Sequence, residues 1–257
     1  MKLEGSTAIV TGAGRGIGRA LAVEFATHGM NVVCAARREH EIKATTDLIK
    51  DTRGDALAVP TDITDPAAVG RMVDKTLDHF GQIDVLFNNA ASFGALGPIW
   101  SVDADQWWHD VRVNLRGTML CIQAVQPHMI ERDSGIVINM AGGDHIPGGT
   151  GYSCSKVALV RLTELMAKEC EHDGYNIFVF TMGPGFVRTE MTEYQIEAEE
   201  GRKWLPSSQD SFDRGADRPP EDCARATVEL LRIACPQLNG QSFGTGTNWD
   251  EVRASLK

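Results

Sequence analysis

The 257-residue sequence has no C-x-x-C pair, no long apolar run and no excess of basic side chains. Its six cysteines, Cys34, Cys121, Cys154, Cys170, Cys223 and Cys235, are scattered, without the close ligand spacing of a structural zinc site. Reduced, mostly buried thiols are therefore expected. Nothing approaches the ~20 consecutive apolar residues of a membrane span. The N-terminus offers only the apolar run 8–10 before glycines begin, too short for a signal peptide. The expected protein is soluble and cytoplasmic. Lysine and arginine number 25 against 35 aspartate and glutamate, a net charge of −10. That balance argues against a nucleic-acid partner, because neutralising a phosphate backbone needs a basic surface. What is present is ordinary: 42% hydrophobic and 23% charged residues, suited to one domain over residues 1–257.

Short apolar runs alternate with stretches of helical periodicity. Strands are expected at residues 7–10, 31–36, 56–59, 84–88, 136–140 and 177–182. Helices are expected between them at 17–27, 39–52, 66–80, 103–129 and 152–170. Pro60 should stop the third strand, and Pro66 sits in the first turn of the helix after it. Such alternation predicts an α/β fold: one doubly wound parallel sheet of Rossmann type, with helices on both faces. Its ligand crevice lies at the carboxyl ends of the strands. The polar segment 190–220, with Trp204 and Phe212 as isolated apolar anchors, is expected to be a mobile cover near that crevice.

Between the first strand and first helix lies Thr11-Gly-Ala-Gly-Arg-Gly-Ile-Gly18. Glycines there permit a tight turn and let a pyrophosphate approach the backbone at the positive end of a helix. Gly12, Arg15, Gly16, Ile17 and Gly18 are thus candidate dinucleotide contacts. An acidic residue at the end of the second strand would hydrogen-bond an adenosine 2′-hydroxyl. This chain has Arg37 and Arg38 instead, and guanidinium groups suit a 2′-phosphate. NADP(H) is the expected cofactor, with NAD(H) as the alternative.

With that loop go Asp62-Ile63, Asn88-Asn-Ala-Ala91, Asn114, Tyr152-Ser-Cys-Ser-Lys156 and Pro184-Gly-Phe-Val-Arg-Thr189. In this order and spacing they resemble the short-chain dehydrogenase/reductases, over residues 7–189 and more weakly to the end. The resemblance implies that Asp62 and Ile63 flank the adenine, and that Asn88 and Ala90 line the ribose side. It implies that Pro184, Gly185, Val187 and Thr189 serve the nicotinamide end. Tyr152 would be the acid/base, Lys156 would bind ribose, and Asn114 would hold a relay water. Tyr152 and Lys156 also make sense from spacing alone, since residues four apart share one helix face. A nearby ammonium should lower the phenol's pKa from its usual ~10.

One feature departs from the pattern. The serine that family members carry after the fifth strand is absent, and Ala141 and Gly142 stand in its place. Three readings remain open. Asp144, His145, Thr150 or a loop N–H substitutes, with Gly142, Asp144 and His145 near the substrate. Alternatively, the substrate is held by its own contacts and Tyr152 acts alone. Or the chain is a weakly active NADP(H)-binding sensor or scaffold subunit. The leading expectation is an oxidoreductase acting on a small carbonyl/alcohol pair, without a metal. Trp107 and Trp108, next to Trp100, are expected in the core or at a subunit contact. By resemblance, the long helix and Tyr152's helix pair with their copies in a homodimer or homotetramer.

Overall fold

The apolar runs form the sheet. In the computed structural model, which describes residues 1–143 and 145–256, seven parallel strands take the order β3-β2-β1-β4-β5-β6-β7. They are β1 (Thr7–Thr11), β2 (Asn31–Ala36), β3 (Ala56–Pro60), β4 (Val85–Asn88), β5 (Gly135–Met140), β6 (Ile177–Gly183) and β7 (Ser242–Gly244). The first six match the expected runs to within a residue or so. Pro60 ends β3 but still pairs with Ala36. It can do so because β3 is an edge strand, where a missing N–H costs no ladder bond.

Eleven α-helices are described: α1 (Gly16–Thr27), α2 (Glu39–Asp51), α3 (Pro66–Phe80), α4 (Ala104–Val111), α5 (Thr118–Glu131), α6 (Thr150–Asp173), α7 (Glu190–Glu197), α8 (Glu199–Trp204), α9 (Pro206–Asp213), α10 (Pro220–Ile233) and α11 (Trp249–Ser255). Side chains alternate across a strand, so β1 feeds two cores. Ala8 and Val10 join residues of α1, α2 and α10 on one face. Ile9 joins residues of α3, α5 and α6 on the other. Fully buried strands of this kind carry continuous apolar runs, which is why they stand out in the sequence.

The chain leaves β1 toward β2 and β3, then returns to place β4 on β1's other side. The carboxyl ends of β1 and β4 therefore flank the topological switch point. Thr11 ties the two ends together: its hydroxyl accepts from the backbone N–H of Asn89 and of Ala90, each at 3.0 Å.

Two segments differ from expectation. The long helix is not uniform, because Arg112–Gly117 forms a π-helical stretch between α4 and α5. A wider turn of this kind is a local departure from the 3.6-residue period and recurs at functional sites. Residues 190–220 are mostly helical, folded as α7, α8 and α9. Their buried anchors are Leu205 and Phe212, the latter packed on Phe186 with ring centroids 4.7 Å apart.

Candidate active site

A cleft of about 390 Å³ runs along the carboxyl ends of the strands, from Arg37 and Arg38 across the glycine loop to Tyr152 and Lys156. The glycines are required by space and by backbone. Gly12 has φ +68°, and a Cβ there would lie 2.8 Å from Asn89 Nδ2 and 2.9 Å from Ala90 Cα. A Cβ on Gly18 would run into the Gly12 carbonyl. The first turn of α1 opens on the cleft at Gly16, and its N-cap, Arg15, contributes no side-chain cap. Uncapped N–H groups and a dipole's positive end, facing an open cleft, suit a pyrophosphate. The residues present therefore fit a dinucleotide.

Most of the expected cofactor residues line this cleft: Gly12, Arg15, Gly16, Ile17, Gly18, Arg37, Arg38, Asp62, Ile63, Ala90, Tyr152, Lys156, Pro184 and Thr189. Three do not. Asn88 is buried in the sheet, donating to Asn139 Oδ1 at 3.0 Å, while its own Oδ1 has no partner among the described residues. Its neighbour Asn89 takes the wall position. Strand alternation decides this, sending successive side chains to opposite sides. Gly185 and Val187 shape the turn behind the wall, with Gly185 at φ +72° and Val187 buried. Thr189 lines the cleft and also caps α7, its hydroxyl accepting from Thr192 N while Thr189 N donates to Thr192 Oγ1. Glu41, Asn89, Arg188, Glu190 and Met191 also line the cleft, and sequence reasoning did not single them out. Asn89 and Arg188 had a signal, as members of the motifs at 88–91 and 184–189, and Glu190 and Met191 lie in the segment expected near the crevice.

The arginines are not bare cations. Arg38 pairs with Glu41 at 2.5 Å and Arg15 pairs with Glu190. Burial raises the Asp62 carboxyl. Bonds from Thr64 and the charges of Arg37 and Arg112 outweigh it, and the group stays below its ordinary range. Desolvation, with Arg38 and Arg37 nearby, lowers the Arg15 pKa against the opposing pull of Glu41.

At the other end, Lys156 is 2% exposed and its ammonium donates to the Met140 carbonyl at 2.9 Å. Desolvation lowers its pKa to about 8. Its Nζ lies 5.4 Å from the Tyr152 ring centroid. Tyr152 is stacked on Phe93, with centroids 4.6 Å apart and planes at 13°. Burial, reinforced by the charge of Asp110, pushes the phenol up to about 12. The expected lowering by Lys156 is thus overturned. Burial disfavours phenolate and ammonium alike, and one of the three ammonium donors is engaged by the Met140 carbonyl.

Asn114 sits in the π-helical stretch. Its amide donates to Ser92 O at 2.9 Å and to Ser155 Oγ at 3.0 Å, and Oδ1 accepts from Ser92 N at 2.7 Å. Ser155 Oγ in turn donates to the Tyr152 carbonyl at 2.6 Å. The side chain therefore splints the loop after β4 to Tyr152's helix. Gly117, in the same stretch, lets the helix approach Ile63, since a Cβ there would lie 2.8 Å from Ile63. Asp110 is fully buried beside it. Its carboxylate accepts from Ser92 Oγ at 2.6 Å, Gly94 N at 3.0 Å and Ala95 N at 2.9 Å. These bonds fix the loop that carries Phe93. In sequence Asp110 looks like one more polar residue of an amphipathic helix.

Where a serine is missing, Ala141 donates its N–H to Met182 O at 3.0 Å. Gly142 has φ +101°, and among the described residues a Cβ there would meet only Pro184, at 3.5 Å. Gly143 has φ +75° and lies under Tyr152, where a Cβ would come within 2.7 Å of the ring. Ser153 holds this loop, donating to Gly143 O at 2.8 Å and accepting from Ile146 N at 3.2 Å. Thr150 accepts from Trp107 Nε1 at 3.0 Å, and His145 is exposed. Asp144 lies outside the described residues. Neither Gly142 nor His145 lines the cleft.

Trp107 is half-buried against α6, while Trp108 and Trp100 are 60% and 79% exposed. Neither of those two is core within this chain. Four of the six thiols, Cys34, Cys121, Cys170 and Cys223, are buried, and all six are free. No helix among the described residues is long and apolar enough to cross a membrane.

A glycine cradle at the switch point of a parallel sheet, with a tyrosine and a lysine one helical turn apart at its far end, defines a dinucleotide-fold oxidoreductase. The pattern of the short chain dehydrogenase family matches residues 6–200, and the chain belongs to that family. A short chain dehydrogenase of Pseudocercospora fijiensis is 38% identical over 195 residues, 74% of this chain and 62% of that one. A 3-oxoacyl-(acyl-carrier-protein) reductase of Synechocystis sp. is 33% identical, covering 94% of this chain and 95% of the relative. Among solved structures, NAD+-bound xylitol dehydrogenase superposes with a TM-score of 0.86 at 25% identity, over 95% of this chain and 98% of that one.

Proposed function

We propose that this chain is a nicotinamide-dependent oxidoreductase of a carbonyl/alcohol pair, preferring NADP(H) and using Tyr152 as acid/base. One observation carries the reading: Tyr152 and Lys156 end the same cleft that begins at the glycine loop and the Arg37–Arg38 pair. The NAD+-bound xylitol dehydrogenase neighbour supports a nicotinamide cofactor. When bound, such a cofactor exchanges hydride with the substrate carbon. The protein's own work is to hold the reactants and to move the proton. A phenol held up near 12 stays protonated at neutral pH, as a donor to a developing alkoxide must. Lys156 is the cation that stabilises the phenolate left behind and binds ribose hydroxyls. Asn114 is the relay residue through its carbonyl oxygens, because both amide donors are already spent. Helices α7 to α9 cover the substrate: Tyr194 bonds Gly94 O at 3.4 Å, and Trp204 packs over Gly148.

The exposed apolar side chains Trp108, Met119, Val157 and Leu165, on α4 to α6, support a homodimer or homotetramer. The acidic balance supports small-molecule rather than nucleic-acid partners and a soluble protein, and the free, mostly buried thiols support a cytoplasmic one. A second reading, an NADP(H)-binding sensor or scaffold without efficient turnover, is favoured by one observation only: Ala141 and Gly142 bring no side-chain donor to the site. A screen of ketones and alcohols with both cofactors, followed at the nicotinamide absorbance, separates the two. Turnover of any carbonyl with NADPH exceeding that with NADH supports the enzyme. Tight NADPH binding without turnover across the screen supports the sensor.

A further inference from the structure

Two of the three arginines at one end of the cleft pair with a carboxylate, Arg15 with Glu190 and Arg38 with Glu41, and Glu41 is held by more than its arginine. The first two turns of α2 pack directly on the glycine loop. Thr45 Oγ1 donates to the Ala13 carbonyl at 2.9 Å, and Arg19 bonds the Gly14 carbonyl. A Cβ built on Gly14 would lie 2.7 Å from Glu41 Cβ and 2.9 Å from its Oε2. One carboxylate oxygen of Glu41, Oε1, takes the Arg38 guanidinium at 2.5 Å. The other stands against the glycine loop, on the cleft wall that also carries Arg15, Arg37 and Arg38. The Glu41 side chain is 17% exposed against 54% for Arg38.

We propose that Glu41 is a cofactor-selectivity residue, accepting from a free 2′-hydroxyl on the adenosine ribose and opposing a 2′-phosphate. The proposal rests on the dinucleotide reading of the cleft. A carboxylate only accepts hydrogen bonds, so it suits a hydroxyl and repels a phosphate. It also acts through Arg38, because a guanidinium already paired has less to give a second anion. The arginine pair that favours NADP(H) is therefore offset by a carboxylate placed one helical turn later. NAD(H) becomes an accepted cofactor beside NADP(H). Removing the charge of Glu41 frees Arg38 and moves the site toward the phosphorylated cofactor.

The test measures calorimetric binding of adenosine 2′,5′-bisphosphate and of 5′-AMP to the full chain, so it needs no substrate and no turnover. The affinity ratio of bisphosphate to AMP should rise about tenfold in Glu41→Gln, on the order of one close charge pair screened by water. Glu41→Ala should move it the same way, and Arg37→Ala should lower it. An unchanged or lower ratio in both Glu41 variants, with Arg37→Ala still lowering it, rejects the proposal and keeps the 2′-phosphate reading. If Arg37→Ala leaves the ratio unmoved, the 2′-phosphate reading through Arg37 is the one rejected, and Glu41 is judged on its own ratio. Failure of both fragments to bind the unmodified chain rejects both.

Discussion

Lys156→Met should remove turnover and, in the cofactor-free protein at neutral pH, raise the stability of the fold. Lys156 is 2% exposed, and its pKa falls from 10.5 to about 8 through desolvation. At ~1.4 kcal/mol per pH unit, holding that ammonium charged at pH 7 costs roughly 3 kcal/mol. Methionine fills similar volume without the charge but leaves the Met140 carbonyl unpaired, which returns about 1–2 kcal/mol of the gain. A net stabilisation of about 1–2 kcal/mol should raise the melting temperature by roughly 2–8 °C for a chain of this size. The pH dependence gives the sharper check. Below pH 8 lysine is protonated in both folded and unfolded chains, so the fold bears the whole cost. Between pH 8 and 10.5 the folded form loses its proton first, so the unmodified protein gains stability as pH rises. Tyr152 is common to both proteins and cancels. Thermal melts at pH ~7 and ~9.5 should therefore show the variant's advantage shrinking with pH. A variant less stable at pH 7, or an offset that does not change with pH, would refute the reasoning.

Three further substitutions probe the rest of the site. Ala141→Ser should fold normally, whereas Gly142→Ser, at φ +101°, should lose about 1–2 kcal/mol in chemical denaturation because that backbone is strained for an L-residue. Higher turnover in Ala141→Ser would mean the site lacks a donor, and no gain would mean one is already supplied. Asp110→Asn turns an N–H toward a donor of the Ser92–Ala95 loop and should cost about 1–3 kcal/mol. It also removes the charge that helps raise Tyr152, so the alkaline limb of kcat should move to lower pH. Unchanged stability together with an unmoved limb would count against the role given to Asp110.

The positions of the first six strands and the cleft were legible because buried parallel strands announce themselves as apolar runs, and because the glycine loop leaves few substitutes at Gly12, Gly16 and Gly18. What could not be read depends on tertiary contact. Asp110 is polar on a half-polar helix, and only the fold buries it under the Phe93 loop. The π-helical turn around Asn114 has no local signal, since its residues suit an α-helix equally well. Helices α7 to α9 were hidden by their polarity, being held by few apolar anchors such as Leu205 and Phe212. The arginines were visible, but the pairing of Arg15 with Glu190 was not, because an ion pair across elements is set by packing; Arg38 and Glu41, three residues apart, are a local pair. The phenol's raised pKa had the same cause: Tyr-x-x-x-Lys fixes a helix face, not the degree of burial.

The central claim is that Tyr152 moves the proton while the glycine-loop end of the cleft holds the cofactor. Tyr152→Phe, measured side by side for NADPH affinity by calorimetry and for turnover of a carbonyl found in the screen, tests it most directly. Removing one preorganised acid should lower kcat by about 10²-fold or more while affinity changes less than about threefold. A variant that retains full turnover, or one that loses cofactor affinity in step with kcat, would contradict the account.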